Sequence, residues 1–188
     1  MNRRYPKGFT LIELVVGIVI FAIAMISYLS FLAPQIQRSA NPHYQARAGA
    51  LGQSFMNEIL SKSYDENSDH NGGAERCDAE GLDCIGATGP DTINGVIESI
   101  GSYNDVDDYI GCWYTSQNRP ADCTTVGGGN LSDVFGRDMS DAYPNFRVEV
   151  DVTEKLDGNG LSQFKKIEMI VVGGSAARLK FFAERGNY

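Results

Sequence analysis

Three groups of side chains in this 188-residue chain are of types that can do chemistry. The first is a single carboxylate, Glu13, inside the run FTLIELVVGIVIFAIAMISYLSFLA, which carries no other charge from Phe9 to Ala33. A charge in such a run costs about 2.5–3.5 kcal/mol at the centre of a bilayer and somewhat less near its end, so Glu13 needs a partner of opposite charge. The second group is Cys77, Cys84, Cys112 and Cys123. Thiols can hold zinc, but structural zinc sites place paired cysteines about two to four residues apart, closer than either pair here. The grouping favours two disulfides, Cys77–Cys84 and Cys112–Cys123, each closing a small loop. The third group is Asp105, Asp107 and Asp108 in the stretch SYNDVDDYIG. Carboxylates this close repel unless solvated, hydrogen-bonded or bridged by a hard cation, so these residues are the metal candidates, for calcium. The competing use is the ordinary one of Asp in loops, capping turns and accepting backbone amides.

Other chemistries find little support. The chain has only His43 and His70, and His43 follows Pro42 in a helical stretch, so no Ser–His–Asp or Cys–His set is evident and an enzyme is not expected. The acidic run Asp65-Glu66-Asn67-Ser68-Asp69 fails as an EF-hand. It has His70 where that loop needs glycine and Arg76 where it needs glutamate, and it reads as a solvated acidic loop. Gly127-Gly128-Gly129 has no following lysine and no strand-to-helix context, so a phosphate cradle is discounted.

The elements that position these groups can be read from periodicity. The 25 residues from Phe9 to Ala33 are long enough to cross a bilayer at about 1.5 Å per residue. Arg3, Arg4 and Lys7 precede them with no acid among them, which holds the N-terminus in the cytoplasm and exports the rest. A conventional signal peptide has a shorter apolar core, about 7–15 residues, and small residues at the cut, where this run ends in Phe31-Leu32-Ala33. Tyr44, Ala48, Leu51, Phe55 and Ile59 then recur at helical spacing. Pro34 and Pro42 predict kinks or local loosening, so the expectation is one long, interrupted helix from Phe9 to about Lys62. After a polar, glycine-rich stretch from Asp65 to about Asn94, and a second stapled excursion from Cys112 to Tyr143, strands follow. Asn145 to Thr153 alternates, with Phe146, Val148, Val150 and Val152 on one face. Phe164 to Val172 and Leu179 to Ala183 give its partners, with turns at Asp157-Gly158-Asn159-Gly160 and Gly173-Gly174. An antiparallel meander laid on the amphipathic helix would bury both apolar faces, an α+β layout.

Lys7-Gly8-Phe9-Thr10-Leu11-Ile12-Glu13, followed by the apolar helix, resembles the N-terminus of a type IV prepilin. The resemblance implies cleavage between Gly8 and Phe9 by a prepilin peptidase and N-methylation of Phe9. It also implies that Glu13 pairs with the free amine of a neighbouring subunit, and that the head has the pilin fold: a long N-terminal helix packed on an antiparallel sheet. One departure stands out. Many pilins carry a proline at the twenty-second mature position, where this chain has Ser30, with Pro34 four residues later. The stretches MNEILSKSYDE (Met56 to Glu66) and NDVDDYIG (Asn104 to Gly111), with the Arg-Gly-Asn-Tyr end, resemble minor pilins of the mannose-sensitive haemagglutinin pilus.

The expected organisation is a cleaved leader (1–8), a transmembrane half-helix (9–33), an amphipathic half-helix (34–62) and an exported head (63–188). Beyond the spanning run 155 residues remain, enough for one domain. The formal charge of −8 falls to −11 without Arg3, Arg4 and Lys7, and no basic patch is evident, which argues against nucleic acid as a partner. An oxidising periplasm would keep the disulfides. The resemblance implies, as partners, the peptidase and N-methylase, other major and minor pilins, and an inner-membrane assembly platform. It implies a single-pass inner-membrane stage with the head periplasmic, then a pilus at the cell surface. The expected role is a minor subunit needed for pilus assembly or initiation and so for attachment. A pseudopilin of a type II secretion system, or an adhesin or ligand-binding module on a pilin anchor, are the competing roles.

Overall fold

The computed structural model describes residues 8–69, 76–78, 83–93, 95–133 and 135–187. The basic leader residues Arg3, Arg4 and Lys7, and His70, lie outside them. The chain divides into two compact units, residues 1–42 and 43–188.

The first unit is the N-terminal part of α1 (Leu11–Leu60). The helix starts where a side chain can satisfy a free amide: Thr10 Oγ1 accepts the N–H of Glu13 at 3.3 Å. Thr10-Leu11-Ile12-Glu13 is thus a helix-start signature, with the acid in the first turn. From Leu11 to Ile36 the helix has a mean hydropathy of 2.6. Its large apolar side chains are exposed, Leu11, Ile12 and Phe21 at 82%, 68% and 64%. Polar side chains in this stretch turn back onto the helix: Ser27 and Ser30 donate to the carbonyls of Ile23 and Ile26 at 2.9 and 2.8 Å. The helical span contains Pro34 and Pro42 without ending at either. A proline removes one hydrogen bond of the ladder, and the helix continues beyond it.

The second unit begins on the same helix. Ala48, Leu51, Phe55, Met56 and Ile59 are buried, the i, i+3, i+4 stripe that faces a sheet. That sheet is antiparallel in the order β3-β4-β5-β6, with β3 (Gly111–Tyr114), β4 (Phe146–Leu156), β5 (Ser162–Gly173) and β6 (Ala177–Gly186). Trp113 pairs with Val148, Val148 with Val171, and Val171 with Leu179, so one row of apolar residues crosses the sheet. Phe146, Val148, Val150, Val152, Ile167, Met169 and Val171 form the core with the helix stripe. The approach is close at Gly52, where a Cβ would lie 2.3 Å from the Phe181 ring.

β3 is an element the sequence reading placed in a loop. It is held at the sheet edge by β4 on one side and the triple glycine on the other. Cys112 N–H donates to the Gly127 carbonyl and Tyr114 N–H to that of Gly129, at 3.3 and 2.9 Å. A Cβ on Gly128 would sit 2.1 Å from the Cys112 carbonyl oxygen, so these glycines serve close backbone approach. The outer face of β4 is also covered. Arg147 pairs with Asp122 at 2.7 Å, and Glu149 Oε1 accepts both the amides and the hydroxyls of Thr124 and Thr125. A short hairpin, β1 (Thr92–Ile93) and β2 (Val96–Ile97), and a 3-10 turn (Asp107–Tyr109) lie between the helix and β3.

Candidate functional site

At the N-terminus, Gly8, Phe9 and Thr10 precede the helix and belong to no regular element. The Gly8–Phe9 bond is therefore in irregular backbone with both residues exposed, Phe9 at 82%, and among the described residues nothing lies within 4 Å of a Cβ placed on Gly8. Glu13 is exposed one turn into the helix, four residues from Phe9, with its amide held by Thr10. The reading from sequence singled out Glu13 and overlooked Thr10. The signal was the Thr-x-x-Glu spacing before an apolar run.

In the head, the two disulfides join Cys77 to Cys84 and Cys112 to Cys123, with Cα atoms 4.7 and 5.8 Å apart. The first ties the loop beside Asp65; the second ties β3 to the loop that supplies Thr124 and Thr125.

The three candidate metal carboxylates do not act as one group. Asp105 is buried, and its Oδ1 accepts the amides of Asp107 and Asp108 at 3.0 and 3.2 Å. Asp108 is buried, and its Oδ2 accepts the amides of Asn104 and Asp105 at 2.9 and 3.2 Å. Asp107 pairs with Lys165, while its charge still bears on Asp105. Lys165 is fully buried, lies 4.8 Å from the centre of the Tyr64 ring, and is shared with Asp65 at 3.1 Å. Burial alone would push the Lys165 pKa down. Asp107 and Asp65 outweigh it and hold the ammonium above the ordinary lysine range.

Asp65 corrects the expectation of a solvated acidic loop. It is fully buried, and its carboxylate accepts the amides of Asn67, Ile85 and Gly86 as well as Lys165 Nζ. Lys165 lies in the strand expected from Phe164 to Val172 and was not singled out there. Its phase gave it away: it shares the β5 face of Ile167, Met169 and Val171, all fully buried.

Around this pair the negative charge exceeds what Lys165 neutralises. Glu66, Asp91 and Asp105 each offer a carboxylate oxygen, all within 4.8 Å of one another. Glu98 faces Asp108 at hydrogen-bonding range, and its pKa is pushed up to about 7 by burial and by Asp108, with Glu66 and Asp91 adding to it. Asp105 is pushed up to about 8 by burial, then by Asp107 and Asp108, against the pull of Lys165. Such shifts are what buried, poorly compensated carboxylates produce. Asp65, Cys77 and Cys84 also cluster, but the two sulfurs are bonded to each other and have no thiolate to offer.

Residues 3–29 match the family model described as the prokaryotic N-terminal methylation motif. No curated protein and no solved structure gives a significant match to the chain. The motif supports the prepilin class and a pilin or pseudopilin subunit, a structural part more than an enzyme. It implies processing by a prepilin peptidase and assembly with other pilins in a membrane system. A long apolar N-terminal helix, a four-stranded antiparallel sheet and two disulfides form a mixed α+β fold consistent with that of type IV pilins. Motif and helix together fit membrane anchoring followed by incorporation into a filament.

Proposed function

We propose that this chain is a minor subunit of a type IV pilus, of the D-type found with mannose-sensitive haemagglutinin pili, that helps start or build the filament and so supports surface attachment. The observation that carries the reading is the methylation motif running without interruption into an apolar helix that a folded head follows. In this reading residues 1–8 are a leader removed at Gly8, and Phe9 becomes the methylated N-terminus. Residues 9–33 cross the inner membrane with the N-terminus cytoplasmic, 34–62 continue the helix, and 63–188 form a periplasmic head. The pairing role falls to Glu13. Once the helix leaves lipid for a bundle of like helices, a carboxylate among apolar side chains is tolerable only opposite a cation, and the free amine of a neighbouring Phe9 is that cation. The stretches MNEILSKSYDE and NDVDDYIG support the D-type assignment.

Deletion of the gene tests the reading. Loss of surface pili with protein secretion intact is the expected result; loss of secretion with pili intact would assign the chain to a secretion pseudopilus. Gly8→Trp should leave the leader attached, visible as a mass increase, and normal processing of that variant would overturn the cleavage assignment. Glu13→Val should insert and be cleaved yet be scarce in sheared filaments.

A further inference from the structure

The two edges of the head's sheet are finished differently. Along β3 the chain supplies its own cover: Cys112 and Tyr114 donate to the carbonyls of Gly127 and Gly129, and Leu131 N–H donates to the Tyr114 carbonyl at 2.9 Å. At the other edge, β6 pairs with β5 in unbroken register from Ala177 opposite Gly173 to Gly186 opposite Phe164. On its far side, no backbone hydrogen bond among the described residues reaches β6. In an antiparallel strand every second residue turns both its N–H and its C=O to the same neighbour. Alternate residues of β6 therefore offer both groups outward.

Edges of this kind draw other strands, and folds blunt them by short length, proline or bulges. β6 has none of these. It runs for 10 residues without proline, and its register with β5 shows no shift, unlike that of β4. At the usual rise of a strand its length is about 33 Å. What guards it is charge. β6 carries Arg178, Lys180 and Arg185 against Glu184 alone, in a chain whose formal charge is −8. Arg178 and Lys180 stand exposed on the outer face, and neither forms an ion pair among the described residues. On the inner face Leu179 and Phe181 are half-buried, beside Gly49 and Gly52 of the helix. A strand laid on this edge sets its own alternate side chains against these two rows. Acids would meet Arg178 and Lys180, a basic row would be repelled, and apolar residues would extend the core past Leu179 and Phe181.

We propose that β6 is a docking edge: it accepts, as a further strand of the sheet, an extended segment of another protein with acids at alternate positions and apolar residues between them. The mode is strand addition, in which main-chain hydrogen bonds supply affinity and the alternate side chains supply selection. The edge belongs to the head alone, so the proposal stands whether or not the chain joins a filament.

The test uses full-length protein in detergent and a short labelled peptide that alternates glutamate with valine. Fluorescence anisotropy should show saturable binding, at least about tenfold tighter than that of the lysine–valine counterpart. Hydrogen exchange should slow at β6 amides in the complex, which attraction between charges alone does not do. The glutamate peptide N-methylated throughout keeps its charges and loses every amide donor, so it should not bind; equal binding would overturn the proposal. Arg178→Glu with Lys180→Glu should leave the fold intact, since both positions are exposed, and should make the lysine peptide the tighter ligand. An unreversed preference would place the peptide elsewhere and overturn the proposal, as would the absence of saturable binding. A concentration-dependent dimer that the same double variant abolishes would give the edge to a second copy of the chain, and would overturn it as well.

Discussion

Lys165→Met is the sharpest test of how the head tolerates its buried charge. The substitution keeps an unbranched apolar stem of similar length on the core face of β5 and removes only the ammonium. What remains is Asp65, fully buried with three amide donors and no cation, and Asp107, 2% exposed and with one amide contact, from Thr88 at 3.4 Å. Removing one partner of a buried ion pair costs about 3–5 kcal/mol, since the remaining charge stays desolvated. Here a single cation serves two carboxylates and also sits over the Tyr64 ring, so the upper half of that range is expected. At about 2–4 °C per kcal/mol for a chain of this size, the melting temperature should fall by roughly 10 °C or more. The assay is thermal and urea unfolding of the full-length protein in detergent, followed by the near-ultraviolet signal of Trp113, the one tryptophan. Adding Asp65→Asn and Asp107→Asn to Lys165→Met should recover part of the loss, because neutral amides need no counter-charge. A loss below about 1 kcal/mol for Lys165→Met would refute the reasoning, since it would mean that water or another cation already reaches the two carboxylates.

Three further outcomes follow from the packing of the head. Burial alone would raise the Glu149 pKa, but the hydroxyls and amides of Thr124 and Thr125 outweigh it and hold the group below its ordinary value of 4.5. Its contribution is therefore present above about pH 4.5 and lost as pH falls through the lowered value. Glu149→Gln should cost about 1.5–3 kcal/mol at pH 7 in urea unfolding, and the difference from the parent should shrink as pH falls below the group's ordinary value of 4.5. At Gly52, alanine would drive a Cβ into the Phe181 ring, at an overpacking cost of about 1–3 kcal/mol; Phe181→Leu in the same chain should relieve it, as a double-mutant cycle would show. Opening the Cys112–Cys123 loop with paired serines should cost about 3 kcal/mol on the loop-entropy model, and hydrogen exchange should report it first at the β3 amides.

Much of this architecture could be read from periodicity, and where it could not the reason is a contact remote in sequence. The apolar stripe at Ala48, Leu51, Phe55 and Ile59 and the alternation from Phe146 to Val152 are local patterns, and both became core. β3 escaped because Gly111-Cys112-Trp113-Tyr114 is too short to alternate and is held in place by β4 and by glycines more than a dozen residues downstream. Asp65 read as solvated because, beyond Asn67, its partners are remote: Ile85 and Gly86 lie 20 and 21 residues on, and Lys165 lies 100 residues on in β5. Arg147 and Glu149 alternate as an outer face should, yet both are buried, since the loop stapled by Cys112–Cys123 folds over them. Asp105, Asp107 and Asp108 are neighbours in sequence, but a 3-10 turn sends consecutive side chains in different directions, so Asp107 and Asp108 finish in different electrostatic surroundings.

The head and the N-terminal helix present one physical problem in two settings. At Asp65 and Asp107 the chain provides its own cation, Lys165, aligned by the pleat of β5 with three core residues. At the Glu98–Asp108 face, and at Glu13 in the apolar helix, it provides none among the described residues. At the first, burial and Asp108 push the Glu98 pKa up to about 7, so a proton shared by the two carboxylates meets the need. At the second, on the proposal made above, the amine of a neighbouring subunit meets it. The two differ in consequence. A proton on Glu98 is bound by each molecule alone, so its contribution to stability falls away as pH rises from about 4.5 to about 7. An amine paired with Glu13 exists only between subunits, so it stabilises the assembled state and leaves the isolated chain as it was. Raising the pH through that window should therefore lower the melting temperature of Glu13→Val protein as much as that of the parent, and a smaller effect in the variant would mean that the two sites are coupled.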